Sequence, residues 1–543
     1  MTNFKWKTSF AETIFHLKYG QDPDDNWPNL ARRLVDDVCG TRGGTVPALM
    51  SKEDRDQLTQ YIIEMKFIPG GRYLYYAGRP LHFYNNCFCL KAEEDTREEW
   101  GSLLKRSSDC LMSGGGIGVD YSILRPSGRA LRRTGGISSG PIPLMHSVNE
   151  VGRNVMQGGS RRSAIFGSLN WQHEDIGDFL RAKDWSTTIR NLKAEDFNFP
   201  APLDMTNISI GWDTAFAESI TIPDIWYESV RRMCKTGEPG HAYNFYENEK
   251  DTLRNACTEF TSEDDSDVCN LGSVNLGNIG SITELRDVVC LASKFLICGT
   301  VRGDVPYDKV KTVREKNRKI GLGLMGIHEW LLKRGSSYEV TPELHQWLEV
   351  YKNESERSAR EHCDRFYLSS PTKFRCIAPA GTIGILASTT TGIEPLFAVA
   401  YKRRYLEGGT RWKYQYVIDA TAERIINELG INPDDIETAY SLVHDPERRI
   451  KFQADIQAYV DMAISSTINL PEWGSRHNNE DTVKKLAKTL HSYCKQLRGI
   501  TVYPDGSRGG QPITPVSHDI AAAKRGVIFD ETEERCAGGV CGI

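Results

Sequence analysis

The stretch "RNACTEFTSEDDSDVCNLGSVNLGN", residues 254–278, places an amide, a thiol and a carboxylate at Asn255, Cys257 and Glu259, with a second thiol at Cys269. The trio occupies every second position. Side chains two apart share a face on a strand but not on a helix. The segment is therefore expected to be extended, with all three groups pointing into one cavity. The acidic, polar "FTSEDDSD" that follows reads as a solvated turn that brings Cys269 back beside that cavity. No histidine lies within the stretch, so a cysteine–histidine nucleophile pair is not supported. A second pair of thiols, Cys536 and Cys541, sits in the glycine-rich C-terminal segment, and the combination points to redox chemistry.

The 543-residue chain supplies ample material for a large core, with 39% hydrophobic and 26% charged residues. Its formal charge of -5 argues against general nucleic-acid binding but leaves local phosphate pockets open. No run of 18 apolar residues is present, so no membrane span is expected. The first twenty residues do not read as a secretory signal, and a cytoplasmic location follows. Structural disulfides are rare there. The single cysteines at 39, 110, 234, 290, 298, 363, 376 and 494 read as buried small hydrophobes. No spacing suggests a protein-bound metal.

Along the chain, residues 1–65 read as helical, most clearly in "DQLTQYIIEMKF". "LHFYNNCFCL" (81–90) reads as a strand or the approach to one. Helices are expected near 97–111 and 141–156, and strands at 163–169 and 207–212. "SGGGIGVDYSILRPSG" (113–128) fits neither the dinucleotide nor the Walker pattern. Its glycines suggest close backbone approach to another element. "ADIQAYVDMAISSTIN" (454–469) reads as a helix, and the segment around "IGLGLMG" as helical pieces flanking a glycine patch. Repeated alternation of strand, glycine turn and helix favours an α/β barrel or a layered sheet. The last residues, 518–543, read as a flexible tail carrying two thiols.

Taken together, these motifs resemble the catalytic chain of ribonucleotide reductases. "NACTE" is similar to the family's N-x-C-x-E finger loop, "VCNLGSVNLGN" to the segment bearing one redox cysteine, and "NNCFCL" to the strand bearing its partner. "QGGSRRSAIFG", "PAGTI", "YVDMAISSTINLP" and the tail "CAGGVC" also match, in the expected order. The resemblance implies an α/β fold: a ten-stranded barrel of two five-stranded parallel halves running antiparallel, with a finger loop through its centre. It divides the chain into an N-terminal helical region (1–65), the barrel (66–517) and a redox tail (518–543).

Within that family the sequence resembles the adenosylcobalamin-dependent class most. The oxygen-dependent class relays a radical through a pair of C-terminal tyrosines. This chain offers only Tyr503 in "GITVYPDGSRGGQPITPV", while Tyr75 and Tyr76 lie far upstream. Related cobalamin enzymes usually read N-P-C-G-E; Ala256 and Thr258 depart from that pattern at its variable places. The rival readings are the large subunit of an oxygen-dependent two-subunit reductase and a non-catalytic regulatory protein of the same fold.

The resemblance implies roles residue by residue. Cys257 would carry the thiyl radical that abstracts the 3′ hydrogen of a ribonucleotide. Glu259 would act as general base, and Asn255 would hold a ribose hydroxyl. Cys87 and Cys269 would supply the reducing equivalents and close to a disulfide. Cys89 is the alternative to Cys87, with the two expected on opposite sides of their strand. Cys536 and Cys541 would reduce the buried pair and pass the disulfide to thioredoxin or glutaredoxin. Substrate phosphates would meet the turn Pro379, Ala380, Gly381, Thr382 and Ile383, with Ser138 and Ser139 near the same pocket. Residues 158–163 and 191–207 would sense a deoxynucleoside triphosphate or ATP effector. An N-terminal activity domain is not expected; the sequence leaves monomer and homodimer open, and the lack of a large inserted domain leans toward the homodimer. The substrate would be a ribonucleoside di- or triphosphate.

Overall fold

The computed structural model describes residues 4–85, 87–131, 135–155, 163–196, 199–407, 411–507 and 513–530. Three N-terminal helices, Ser9–Lys18, Trp27–Cys39 and Lys52–Ile63, lead into a short strand β1 (Phe67–Pro69). Each helix begins at a polar N-cap, Thr8, Asn26 or Ser51, whose side chain accepts a backbone N–H of the first turn. Met65, with φ +56°, ends the third helix and turns the chain toward β1.

The next five strands run parallel in chain order: β2 (Cys87–Lys91), β3 (Gly116–Asp120), β4 (Ile165–Asn170), β5 (Thr206–Asp213) and β6 (Gly240–Asn244). Helices Arg97–Met112, Ile142–Asn154 and Asp224–Thr236 make crossovers between them. These strands carry Ile, Val, Phe and Leu on nearly continuous buried runs, as expected where both faces of a parallel sheet are covered.

Two short strands, β7 (Leu253–Arg254) and β8 (Thr261–Ser262), then pair antiparallel and form the base of a hairpin. The chain continues into β9 (Asp267–Asn275) and β10 (Ile320–Met325), which are parallel to each other. Segment 375–377 adds to β10 through the parallel bridge Leu322↔Arg375, and Ile377 bridges Ile464 in the same sense. After β11 (Ala400–Glu407) and β12 (Arg411–Ile418), strand β13 (Thr467–Leu470) continues from residue 464 and runs parallel to β14 (Gly499–Pro504).

Two antiparallel seams join the halves. Strand β2 pairs β9, and β14 pairs β6. Following the partners around returns to the start, so the ten strands close into a barrel with five parallel strands in each half. The expected fold class is the one observed. Closure also leaves few open strand edges.

Helix Ile282–Arg302 is the main buttress of the second half. Ser281 caps it, and Leu285, Val288, Val289, Ala292, Phe295 and Leu296 repeat at helical spacing and are fully buried. They share one apolar cluster with Trp27, Leu30 and Leu34 of the N-terminal helices. Each such side chain removed from water contributes roughly 1.5–3 kcal/mol. The first half has its own cluster, centred on Trp212, Trp226 and Phe216.

Three expectations change. The glycine patch at 320–325 is strand β10, where Gly321 and Gly323 face Cys376 and its neighbours without side chains of their own. The helix expected over 454–469 ends at Gln457, and the remainder turns into β13. The run Ile464–Ser–Ser–Thr–Ile468 is richer in β-branched residues than a helix favours. The tail expected to start at 518 is built into the fold as far as residue 530. Helix His518–Ala523 follows β15 (Ile513–Pro515), and β16 (Ile528–Asp530) completes a four-stranded sheet in the order β15-β11-β12-β16. Among the described residues, no helix is long and apolar enough to cross a membrane.

Candidate active site

The barrel interior is occupied by the hairpin whose base is β7 and β8. Two glycines of β3 make room for it. A Cβ on Gly118 would lie 1.8 Å from the Arg254 carbonyl oxygen, and one on Gly116 would lie 2.7 Å from the Ala256 Cβ. The glycine-rich "GGGIGVD" therefore serves the close backbone approach read from the sequence, and its partner is the finger itself.

Charged groups pin the base of this finger. The buried Arg254 guanidinium donates to the carbonyls of Leu253 (3.0 Å), Tyr243 (3.3 Å) and Arg498 (3.2 Å), to that of Asp251, and to Asn244 Oδ1 at 2.6 Å. Burial, with Arg498 adding, lowers its pKa to about 9, so it remains a cation at neutral pH. Asp251 accepts from Arg498 and Lys373, each at 3.2 Å. Burial alone would raise the Asp251 carboxyl, but the surrounding cations hold it well below the usual carboxylate range. Across the hairpin, Lys319 pairs with Asp267 at 2.9 Å and donates to Ser262 Oγ and the Thr261 carbonyl.

The tip is a turn, which corrects the expectation of an extended segment. Thr258 N–H donates to the Asn255 carbonyl at 3.1 Å, and Thr258 adopts φ +70°. Asn255 and Glu259 thus sit at the two legs of the turn and are buried, while Cys257 is exposed at its apex. A thiol, an amide and a carboxylate can be grouped by a tight turn as well as by a pleat.

Asn255 Oδ1 accepts the Phe260 N–H at 3.0 Å, and the Glu259 carbonyl accepts the Ala463 N–H at 2.8 Å. These bonds tie the turn to itself and to the second half-barrel. Burial raises the Glu259 carboxyl from 4.5 to about 7; its backbone, Asn255 and Cys87 oppose that only in part. Neither the Asn255 Nδ2 nor the Glu259 Oε2 has a hydrogen-bond partner of full geometry, and both are buried. Unpaired buried polar atoms are costly, and they mark positions that a polar ligand can satisfy.

Two of the expected site cysteines lie on the β2–β9 seam. Cys87 and Cys269 are direct register partners on antiparallel strands, and both are present as thiols. Cys87 Sγ–H points to Glu259 Oε1 at 3.9 Å. Burial first, then Glu259 and Cys257 nearby, pushes the Cys87 thiol well above its ordinary value. Burial also raises Cys269, with Cys376 as an opposing hydrogen-bond donor. Cys89 is two residues from Cys87 on one strand, so the two share a face rather than lying on opposite sides as expected. Cys89 is set apart from Cys87 by register, since its partner is Asp267 rather than a thiol.

The turn Pro379–Ile383, expected from the sequence to meet phosphates, lies directly after the barrel segment 375–377. Ala380, at φ +54°, opens helix Gly381–Ala387, and Gly384 N–H makes the first helical bond to the Ala380 carbonyl at 2.8 Å. The amides of Gly381, Thr382 and Ile383 precede that bond. Ser138 belongs to a hairpin with Gly128 and Arg129, and its Oγ accepts the Gly140 N–H at 3.2 Å; Ser139 beside it is exposed. Tyr503 is opposite Asn469 in the β13–β14 pair. Cys536, Cys541 and residues 158–162 lie outside the described residues, as do 197 and 198. Arg254, Asp251 and Lys319, which pin the finger, carry no short motif in the sequence; position alone brings them to the site.

The barrel domain of ribonucleotide reductase matches residues 85–201, 206–346 and 371–503. A vitamin B12-dependent ribonucleoside-diphosphate reductase of Thermoplasma acidophilum is 28% identical, over 84% of this chain and 66% of its own length. One of Mycobacterium tuberculosis is 26% identical, over 90% of this chain and 77% of its own. The large subunit of the ribonucleoside-diphosphate reductase of Danio rerio is 24% identical, over 74% of this chain and 64% of its own. The chain thus spans about two thirds to three quarters of the length of these relatives. With the closed ten-stranded barrel, its central finger and the seam thiols, the match means that this chain belongs to the ribonucleotide reductase family.

Proposed function

We propose that the chain is an adenosylcobalamin-dependent ribonucleotide reductase, which converts ribonucleoside di- or triphosphates to 2′-deoxyribonucleotides. The observation that carries this reading is the finger. It holds an amide nitrogen and a carboxylate oxygen, both buried and without a hydrogen bond of full geometry, between an exposed thiol and a cross-strand thiol pair. Relatives named as B12-dependent support the class, and the lone Tyr503 on β14 gives no tyrosine pair for the two-subunit alternative.

The fit to the cofactor rests on Cys257. Its exposure at the apex leaves it reachable by a large group bound over the finger, whereas Cys87 and Cys269 are shielded. Bound adenosylcobalamin supplies the initiating radical chemistry. Cys257 takes up that reactivity as a thiyl and removes the 3′ hydrogen of the ribose. Glu259, poised near neutrality, accepts the 3′-hydroxyl proton. Asn255 Nδ2 donates to a ribose hydroxyl and orients the sugar. The 2′ hydroxyl leaves as water, and Cys87 and Cys269 supply two electrons and close to a disulfide. Glu259, within 3.9 Å of Cys87 Sγ, is placed to exchange the proton that this requires.

The turn Pro379–Ile383 then holds substrate phosphates through its first-turn amides and Thr382, with Ser138 and Ser139 contributing. Cys536 and Cys541 reduce the buried disulfide and pass it to thioredoxin or glutaredoxin. An effector nucleotide acts through 158–163 and 191–207. Asp204 in the second segment is gripped by Arg153 and Lys193, which links that loop to helix Ile142–Asn154. An open groove of about 650 Å³ lies on the same helix, lined in part by His146, Glu150 and Asn154. The chain acts as a homodimer in the cytoplasm. Residues 1–65 buttress the barrel, 66–517 carry the chemistry, 518–530 join the β11–β12 sheet, and the segment with Cys536 and Cys541 carries the relay.

The test is deoxynucleotide formation by the purified chain, with adenosylcobalamin, a small dithiol, an effector mixture, and CDP or CTP in separate reactions. Cobalamin-dependent product supports the reading, and the faster substrate identifies the phosphate number. No product from folded protein under any of these conditions overturns it.

A further inference from the structure

One thiol in the barrel interior has no part in the steps above. Cys376 is fully buried on the barrel segment 375–377, in a cluster with Cys89, Leu253, Phe260, Cys269, Leu271 and Met462. Cys269 lies on β9, and β10 runs between the two cysteines. At this level β10 contributes Gly321, the register partner of Leu271. A Cβ on Gly321 would lie 2.6 Å from Cys376 Sγ and 2.7 Å from Cys269 Sγ. Any side chain there would force the sulfurs aside. With glycine in place both sulfurs share the space above that strand. On its other side, Cys269 is the register partner of Cys87. Three thiols therefore form a row, with Cys269 in the middle.

We propose that Cys376 is a third redox thiol of this site, which takes Cys269 over from Cys87 by thiol–disulfide exchange. The proposal rests on the reading of Cys87 and Cys269 as the reductant pair. In the exchange, the Cys376 thiolate attacks Cys269 Sγ of the Cys87–Cys269 disulfide. The Cys376–Cys269 bond forms as the Cys269–Cys87 bond breaks, and Cys87 leaves as a thiolate. The proton lost by Cys376 equals the one gained by Cys87, and Glu259, 3.9 Å from Cys87 Sγ, is a carrier at that end. No net oxidation occurs. The disulfide moves away from the finger, and Cys87 returns to its thiol form beside Glu259.

The contact is tested first without turnover. Full-length Cys87→Ser protein, folded by circular dichroism, is treated with diamide, alkylated and mapped by mass spectrometry. Diamide takes two hydrogens from a dithiol, and closure of Cys87–Cys269 in the wild type confirms that it reaches the site. A linked Cys269–Cys376 peptide is expected in Cys87→Ser, and it is lost when Gly321→Ala is added. Cys269 and Cys376 both recovered as alkylated single peptides, beside a closed wild-type pair, overturn the proposal.

The exchange itself is read in the Cys536→Ser/Cys541→Ser chain after turnover without added reductant. Both linkages, Cys87–Cys269 and Cys269–Cys376, are expected there, and only the first when Cys376→Ser is added. Cys87–Cys269 alone in the parent chain overturns the exchange. Product formed with no disulfide among these cysteines contradicts the reductant-pair reading instead, while the diamide experiment still reports on the contact.

Discussion

Cys87 and Cys269 face each other across the one antiparallel seam between β2 and β9, although almost the whole first half-barrel and the finger separate them in sequence. Directly opposed residues on antiparallel strands lie about 4.5–5.5 Å apart at Cα, within the range that a disulfide spans. The pair is thus positioned to be oxidised with little backbone movement. In a chain lacking the tail thiols, substrate turnover without external reductant should stop after about one deoxynucleotide per chain. It should remove two alkylatable thiols, mapped to this interior site. Cys87→Ser or Cys269→Ser should abolish the stoichiometric burst.

Glu259 sets a pH dependence. Burial pushes its carboxyl up to about 7, and a general base must be ionised to accept a proton. The rate of the proton-dependent step should rise with pH through about 7 and level off above it. Glu259→Gln should lose this limb and lower kcat by about 10²–10⁴-fold. Stability runs the other way. The folded-state pKa lies above the ordinary 4.5, so the native chain holds this proton more tightly than the unfolded chain. The stabilisation is complete below 4.5 and is lost as pH rises through about 7. Chemical denaturation of the Gln variant should lack that component of the pH slope.

The finger depends on Gly118. An alanine Cβ there would overlap the Arg254 carbonyl, and the barrel strand cannot retreat without breaking its ladder. Overpacking of this kind costs about 1–3 kcal/mol, and a displacement of about 1 Å at a reacting group can cost about 10²-fold in rate. Gly118→Ala should lower kcat by about that factor while the far-ultraviolet circular dichroism stays unchanged. Unaltered kinetics would mean that the finger does not need its close seat on β3.

The tail thiols should separate two sources of electrons. Cys536→Ser/Cys541→Ser should retain multiple turnover with a small dithiol that enters the barrel, and lose it with thioredoxin or glutaredoxin. Equal rates of the two proteins with thioredoxin would rule out a relay through the tail.

The candidate site residues were more legible than their geometry. Asn255, Cys257 and Glu259 stood out because three functional groups crowd one short stretch, yet spacing alone could not distinguish a pleat from a turn. The glycines at 116 and 118 announced a close approach, but only the fold reveals that the approaching chain is Arg254–Ala256. The seam between Cys87 and Cys269 depends on the closure of ten strands, which no local pattern encodes. Cys376 read as a buried hydrophobe because its significance arises from a glycine on the neighbouring strand. At 458–469, apolar residues spaced like a helix concealed a β-branched run that enters β13.

The proposed mechanism stands on Cys257, at the apex of the finger, performing the first step on the substrate. The most direct measurement compares cobalamin-dependent deoxynucleotide formation by the wild-type chain and by Cys257→Ser, at equal folded concentration. The wild type should yield product and the variant none above background. Equal product from both would contradict it.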